Sequence, residues 1–155
     1  MKHQMECTTI NEEDMTQDDK DLLLKDLCAR LPYGVKVKVI DVDGFTFEGE
    51  LCVISKGWCK LNISDPKKKA RVKNEVIPLN YIYIKPYLRP MSSMTEEEYN
   101  ELKELSSYYG LAPFEDIHNW TPNYELIGWL NAHHFDYRGL IPKGLAIEAQ
   151  PEIYK

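Results

Sequence analysis

The chain has 155 residues, 43% of them hydrophobic, and a formal net charge of −6. This length suits one domain, or one small domain with an appendage, around a real hydrophobic core. No apolar run approaches the roughly 18 residues of a membrane span, and the first fourteen residues lack the apolar stretch of a secretory signal. We therefore expect no membrane partner and a cytoplasmic location.

Charge is distributed unevenly along the chain. Residues 1–31 carry a net −4, residues 32–90 a net +5 and residues 91–155 a net −7. Either the acidic arms fold back onto the basic middle, or the middle meets a polyanion. The four cysteines lack Cys-x-x-C spacing, so we expect free thiols and no zinc site; they are Cys7, Cys28, Cys52 and Cys59.

The first predicted element is a helix from about Gln17 to Arg30. Residues 1–14 are polar and aperiodic, and we expect them to be mobile. Thr16 is a suitable N-cap, and Pro32 disfavours helical geometry at the residue before it. Four residues at helical spacing predict the apolar face: Leu24, Leu27, Cys28 and Leu31.

Strands follow, beginning with a hairpin around Asp43-Gly44. A three-residue loop places Val39 opposite Phe47 and keeps one face of the pair apolar, whereas a two-residue loop mixes the faces. It also puts Gly44 where a left-handed residue is needed. We predict a second hairpin across Lys56-Gly57, and the last short strands within residues 75–80 and 81–88. This spacing of antiparallel strands is typical of a small barrel or a strongly bent sheet.

Two further helices are predicted near the C-terminus. The first begins at a capping box of Thr95 and Glu98 and runs to about Tyr108. The second has Thr121 as N-cap, Pro122 as its first residue, and runs to about His134. On it, His133 would continue a buried stripe, and adjacent His134 would point about 100° away. We expect structural histidines and no metal, although convergence with His118 is left open.

Two groups of residues are candidates for ligand binding. The first follows the last helix: Arg138 can offer a bidentate fork to a phosphate or carboxylate, with Tyr137 as a stacking surface and His134 beside them. The alternative is that Arg138 forms a local salt bridge or bonds free helix carbonyls. The second group is a basic segment that either contacts phosphates or is a solvated loop: Lys67, Lys68, Lys69, Arg71 and Lys73.

Two resemblances add to these patterns. The segment "LLLKDLCARLPYGVKVKVIDVDGFTFEGELCVI", with its Asp-Gly turn and Phe47-x-Gly49-x-Leu51, resembles an Sm-like or SH3-like small barrel with a leading helix, over about residues 17–87. Three blocks, "TQDDKDLLLKDLCARLPYGV", "IKPYLRPMSSMTEEE" and "LNAHHFDYRGLIPKGLAIEA", resemble uncharacterised small proteins of phages and mobile elements of Bacteroides-type gut bacteria. This second resemblance implies a phage context, in the cytoplasm of a host bacterium, and no assigned activity.

We therefore predict an α+β fold: residues 1–14 as a mobile segment, residues 15–90 as a helix plus a small antiparallel SH3/Sm-like β-barrel, and residues 91–155 as a helical C-terminal part packed on it. The predicted function is non-catalytic binding of a host protein or of a small anionic nucleotide signal, as in counter-defence. The alternatives are a nucleic-acid-binding barrel and a small enzyme acting on a nucleotide. We expect no cofactor and no catalytic residue, and self-association is left open.

Overall fold

The fold is known from a computed structural model that describes residues 15–40, 44–70, 76–78, 84–108 and 124–155, without the side chains of Pro78 and residues 106–108. Helix α1 spans Gln17–Arg30, as predicted, and the Thr16 side chain accepts a hydrogen bond from the Asp19 amide. The predicted apolar face is partly wrong. Leu27 is buried but Cys28 is exposed, and the buried face of α1 consists of Leu23, Asp26, Leu27 and Arg30.

The strands form one sheet after α1. Their order across the sheet is β4-β3-β2-β1-β5-β6, and every described pair is antiparallel except β5 with β6. The strands are β1 (Lys36–Ile40), β2 (Thr46–Ser55), β3 (Trp58–Asn62), β4 (Val76–Pro78), β5 (Ile84–Leu88) and β6 (Ile147–Glu148). A short helix, α2 (Pro66–Lys69), lies between β3 and β4 in the chain.

The predicted hairpin register is confirmed. Val39 lies opposite Phe47, and Val37 lies opposite Gly49. Gly44 adopts φ +83°, a left-handed conformation that glycine tolerates best. The apolar members of the alternation point inward and form the main core with the buried leucines of α1. Their polar neighbours therefore lie on the opposite, outer face of the sheet.

The predicted closed barrel is wrong, because the described strands form an open sheet. β4 is an edge strand, and it does not pair with β5 within the described residues. The edge of β5 that could have closed a barrel is instead paired with β6, through Tyr87 opposite Ile147 and Leu88 opposite Glu148. A segment of the C-terminal part thus extends the sheet and occupies this edge.

The C-terminal part adds two more helices, α3 (Glu96–Tyr108) and α4 (Tyr124–Ala132). The predicted capping box is present, since Thr95 and Glu98 exchange side chain to backbone hydrogen bonds of 2.9 and 3.2 Å. A second core lies between these helices: Leu102, Leu126, Leu130 and Phe135. α4 ends two residues earlier than predicted, and its predicted start at Thr121 and Pro122 lies outside the described residues.

Within the described ranges, none of the helices combines the length and the apolar character that a membrane crossing requires.

Candidate functional site

The predicted site after α4 lies against α1, in a region that we call the arginine pole (Asp26, Arg30, His134, Tyr137 and Arg138). Arg138 Nη1 lies 2.8 Å from Asp26 Oδ1, and Arg30 Nε lies 2.8 Å from Asp26 Oδ2. Asp26 and Arg30 are completely buried, whereas the Arg138 side chain is 18% exposed. One carboxylate therefore pairs with two guanidinium groups, and Arg138 bridges to α1 rather than to a local partner.

Arg30 also fixes the chain that follows α4. Its Nη2 donates a hydrogen bond of 2.6 Å to the Phe135 carbonyl, and its guanidinium lies 5.4 Å from the ring centre of Tyr137. Arg138 lies 4.8 Å from the same ring centre. The Tyr137 hydroxyl donates to Asn131 Oδ1, and burial raises the pKa of Tyr137. The ring predicted as a stacking surface for a ligand thus lies against two arginines of the protein itself.

His134 ends α4 in an unusual way. It has φ +62°, and the Phe135 amide bonds the Leu130 carbonyl while the His134 amide bonds that of Asn131. These bonds define a Schellman motif, in which glycine is the usual left-handed residue. The imidazole is buried and stacks on Tyr154 with 3.6 Å between ring centres. Burial, followed by the charge of Arg30, lowers the pKa of His134 to about 4.

The two adjacent histidines do not share a site. His133 stacks on Trp129 with 4.0 Å between ring centres, away from the Tyr154 ring that contacts His134. His118 lies outside the described residues. Asp136 accepts hydrogen bonds of 2.8 Å from the amides of Leu140 and Ile141, so it caps the next turn. In the described part of the chain, no group of three or more His, Cys, Asp or Glu side chains could hold a metal ion.

The structure describes only part of the basic segment. Lys67, Lys68 and Lys69 lie on α2, whose N-cap Asp65 accepts from the Lys67 amide. Arg71 and Lys73 lie outside the described residues. Lys68 alone of the three lysines lines the cleft described next, so α2 does not present them as one surface.

A polar cleft of about 530 Å³ lies on the outer face of the sheet, and no local motif points to it. Its floor is a row across three strands, in which Lys36 of β1 lies opposite Glu50 of β2, and Glu50 lies opposite Asn62 of β3. Its sides are formed by residues from several separate parts of the chain: Glu48, Ser64, Asp65, Lys68, Tyr87, Glu152 and Ile153. The volume lies in the range of small-molecule and side-chain pockets.

Some of the charged groups in this cleft are fixed by the protein. The Tyr87 hydroxyl donates a 2.7 Å hydrogen bond to Glu48, and the Lys36 ammonium donates to the Ile153 carbonyl. Burial and the Glu48 carboxylate raise the pKa of Tyr87. The side chains of Glu50, Lys68 and Glu152 have no hydrogen bond or ion pair with any other described residue. These three groups are therefore available to a ligand.

The outer face changes character toward β4. Val53 and Val76 lie on either side of Lys60, and all three are exposed. Trp58, one row further along, is 39% exposed and lies opposite Pro78. The sheet thus presents a polar cleft at the row of Lys36, Glu50 and Asn62, and a mixed apolar and basic surface around Trp58 and Lys60 of β3 and Val76 of β4.

Searches against protein-family models, curated proteins and solved structures found no match to this chain.

Proposed function

We propose that the protein is a non-catalytic, phage-type binding protein that engages a host protein through the cleft on its sheet. The observation that carries this proposal is the set of three charged side chains, Glu50, Lys68 and Glu152, that face the cleft without a partner among the described residues. Charged groups in a concave surface that are not used by the fold are the usual means of selecting a binding partner.

The balance of charge in the cleft favours a basic partner. Two lysines, Lys36 and Lys68, face four carboxylates, those of Glu48, Glu50, Asp65 and Glu152. Opposite charges at about 4 Å attract by about 4 kcal/mol at the effective dielectric of a protein surface, before desolvation is subtracted. A lysine or arginine side chain of a host protein fits this balance better than an anionic nucleotide does.

The phage context rests on the three sequence blocks that resemble small proteins of phages and mobile elements. Counter-defence is the role that this context favours. The alternative ligand, an anionic nucleotide signal, would depend on Arg138 at the arginine pole. Arg138 is already paired with Asp26, so an anion would have to compete with a carboxylate at 2.8 Å. A host protein is therefore our first choice of partner.

A paired affinity capture tests the proposal. The full chain, its Glu50→Lys/Glu152→Lys variant and a control with the same charge change on α3, Glu97→Lys/Glu104→Lys, are each expressed in the host and recovered with bound proteins. We expect a host protein that is retained by the wild type and the control and lost from the cleft variant. Equal capture by all three proteins would show that the host protein does not bind at the cleft.

A second candidate function, nucleic-acid binding, is favoured by one observation. The exposed Trp58 lies between Lys56 and Lys60 in the chain, and all three side chains are exposed. An aromatic ring beside lysines can stack a base while the lysines contact phosphates. Titration with single-stranded RNA and DNA at several salt concentrations tests it, and Trp58→Ala should weaken the binding at least tenfold. No binding at low salt would dispose of this candidate.

A further inference from the structure

One wall of the cleft comes from the end of the described chain, residues 150–155, which we call the C-terminal wall. Glu152 and Ile153 of this wall line the cleft. The wall is attached by Tyr154, whose hydroxyl donates 2.6 Å to the Tyr87 carbonyl and accepts 3.0 Å from the Lys36 amide. The Lys36 ammonium also bonds the Ile153 carbonyl. Tyr154 therefore joins the wall to two strands of the sheet, β1 and β5.

The Tyr154 ring stacks on His134, and the Lys36 ammonium lies 5.8 Å from the centre of the same ring. The two rings are nearly parallel, 10° apart, with 3.6 Å between their centres. His134 is held at φ +62°, where a glycine would be unstrained. A side chain kept in a costly backbone conformation points to a role for that side chain. Here the imidazole supplies the surface on which Tyr154 rests.

The surroundings of His134 favour the neutral ring over the protonated one. Positive charge lies on several sides of it, on Arg30 of α1, Lys36 of β1 and Arg89 after β5, and His133 adds to it when protonated. The nearby Asp26 carboxylate already pairs with Arg30 and Arg138. A proton on His134 would therefore add a positive charge beside Arg30, Lys36 and Arg89 in a buried place, where the charged form is disfavoured.

We propose that the stack of His134 on Tyr154 is a latch that positions the C-terminal wall, and with it the Glu152 carboxylate, at the cleft. Protonation of His134 opens the latch and releases the wall. This inference rests on the proposed function where it concerns binding, since the latch then controls the shape and charge of the binding site. The attachment itself is a property of the chain alone.

The amide of Lys36 reports the latch directly, because it donates to the Tyr154 hydroxyl. Its hydrogen exchange would be measured by NMR at neutral pH for the wild type, Tyr154→Phe, His134→Gly and the control His133→Gln. We expect exchange at Lys36 to rise at least tenfold in Tyr154→Phe and His134→Gly and to stay within twofold in the control. The Leu51 amide, bonded to the Val35 carbonyl, should keep its protection in all four proteins.

Acid provides the second readout. The pKa of His134 lies below its ordinary value, so the protonated state favours release of the wall as the pH falls from 6.5 toward 4. The protection factor of Lys36 should fall over this range in the wild type while that of Leu51 is retained. In His134→Gly the protection factor of the Lys36 amide should already be low at neutral pH and should not change with pH. Unchanged Lys36 protection in His134→Gly would overturn the latch, whatever Tyr154→Phe shows, because Tyr154→Phe also removes the acceptor of the Lys36 amide.

The binding experiment separates this inference from the proposed function. If the wild type captures a host protein, the capture should weaken at least threefold in Tyr154→Phe and His134→Gly, and likewise in Glu152→Gln. Equal capture by these variants would show that the wall does not control binding, which contradicts the inference. If no host protein is captured but Lys36 exchange responds as expected, the latch stands and the proposed function fails.

Discussion

The arginine pole and the cleft are both rich in charge, but they use it in opposite ways. At the pole, Asp26 and Arg30 are completely buried and every carboxylate oxygen of Asp26 has a guanidinium partner within 2.8 Å. At the cleft, Glu50 and Glu152 are exposed and have no ion-pair partner in the described part of the chain. Charge that is buried and paired holds elements together, whereas exposed and unpaired charge is available for recognition.

This comparison changes the place of the predicted site. His134, Tyr137 and Arg138 do come together, but their contacts are with Tyr154, Arg30 and Asp26. Their role as ligand-binding residues remains a prediction, and the cleft becomes the stronger candidate. Substitutions in the two regions should therefore separate stability from binding.

The largest effect on stability is expected for Asp26→Asn. Loss of this carboxylate leaves the buried guanidinium of Arg30 without its counter-ion, which costs about 3–5 kcal/mol in unfolding free energy. Urea unfolding of the full chain measures it. Asp18→Asn, on the exposed side of the same helix, is the matched control and should cost less than 1 kcal/mol. Equal losses of unfolding free energy in the two variants would show that the buried Asp26 contributes no more to stability than an exposed aspartate.

The next effect is a pH dependence from His134. Its pKa is about 4 in the folded protein against an ordinary 6.5, so the unfolded state binds the proton first and stability is lost as the pH falls from 6.5 to 4. The total is about 3 kcal/mol at 1.36 kcal/mol per pKa unit.

His134→Asn should abolish this component, because asparagine tolerates the left-handed conformation and does not titrate. The measurement is the difference between the urea unfolding free energies of variant and wild type at several pH values. His133→Gln should keep most of the dependence, because burial and the charge of Arg30, the two largest causes, remain. A difference curve that is flat between pH 6.5 and 4 would contradict the account of His134.

A smaller effect is expected at the floor of the cleft. A Cβ on Gly49 would lie 2.6 Å from the Asn62 carbonyl oxygen, so Gly49→Ala must move β2 away from β3. We expect a loss of about 1–3 kcal/mol in unfolding free energy. Gly128→Ala, in helix α4, is the control; its Cβ meets only the Tyr33 hydroxyl at 3.4 Å, and it should be neutral or stabilising. A neutral Gly49→Ala would mean that the strands at the floor can separate freely.

The smallest effect on stability is expected for the unpaired carboxylates. Glu50→Gln with Glu152→Gln should change the unfolding free energy by no more than about 0.5 kcal/mol, because neither side chain has a partner to lose. The same variant should lose affinity for a basic partner, measured by calorimetry with the captured host protein. If the variant is destabilised, these carboxylates stabilise the fold, as the charges of the arginine pole do, and the contrast between the two regions is wrong.

Much of the fold could be predicted from local patterns. The alternation of Val35, Val37 and Val39 with lysines, together with one loop length, determined the register of the first hairpin, because a slip by one residue would expose the apolar face. The helix caps at Thr16 and Thr95 also follow from neighbouring residues. The prediction of a closed barrel was wrong because β6 pairs with β5. The two residues of β6 are too few to show a strand pattern in the sequence.

The sites depended on contacts between distant residues. Asp26 and Arg138 are 112 residues apart in the chain. A search for apolar residues at helical spacing on α1 also passes over Asp26 and Arg30, although both are completely buried. The polar row of Lys36 and Glu50 could have been read from the predicted register. Nothing near it in the chain indicates that Lys68 and Glu152 complete a cleft there.

The most direct test of the cleft as the recognition site is an NMR titration of the full chain with two probes of opposite charge, a capped pentalysine peptide and a cyclic dinucleotide. We predict that pentalysine shifts the amide resonances of Glu50, Asn62 and Ser64, and that Glu50→Gln/Glu152→Gln removes these shifts. The dinucleotide should leave Tyr137 and Arg138 unchanged. Dinucleotide shifts at the arginine pole, or pentalysine shifts confined to the acidic helix α3, would contradict the assignment.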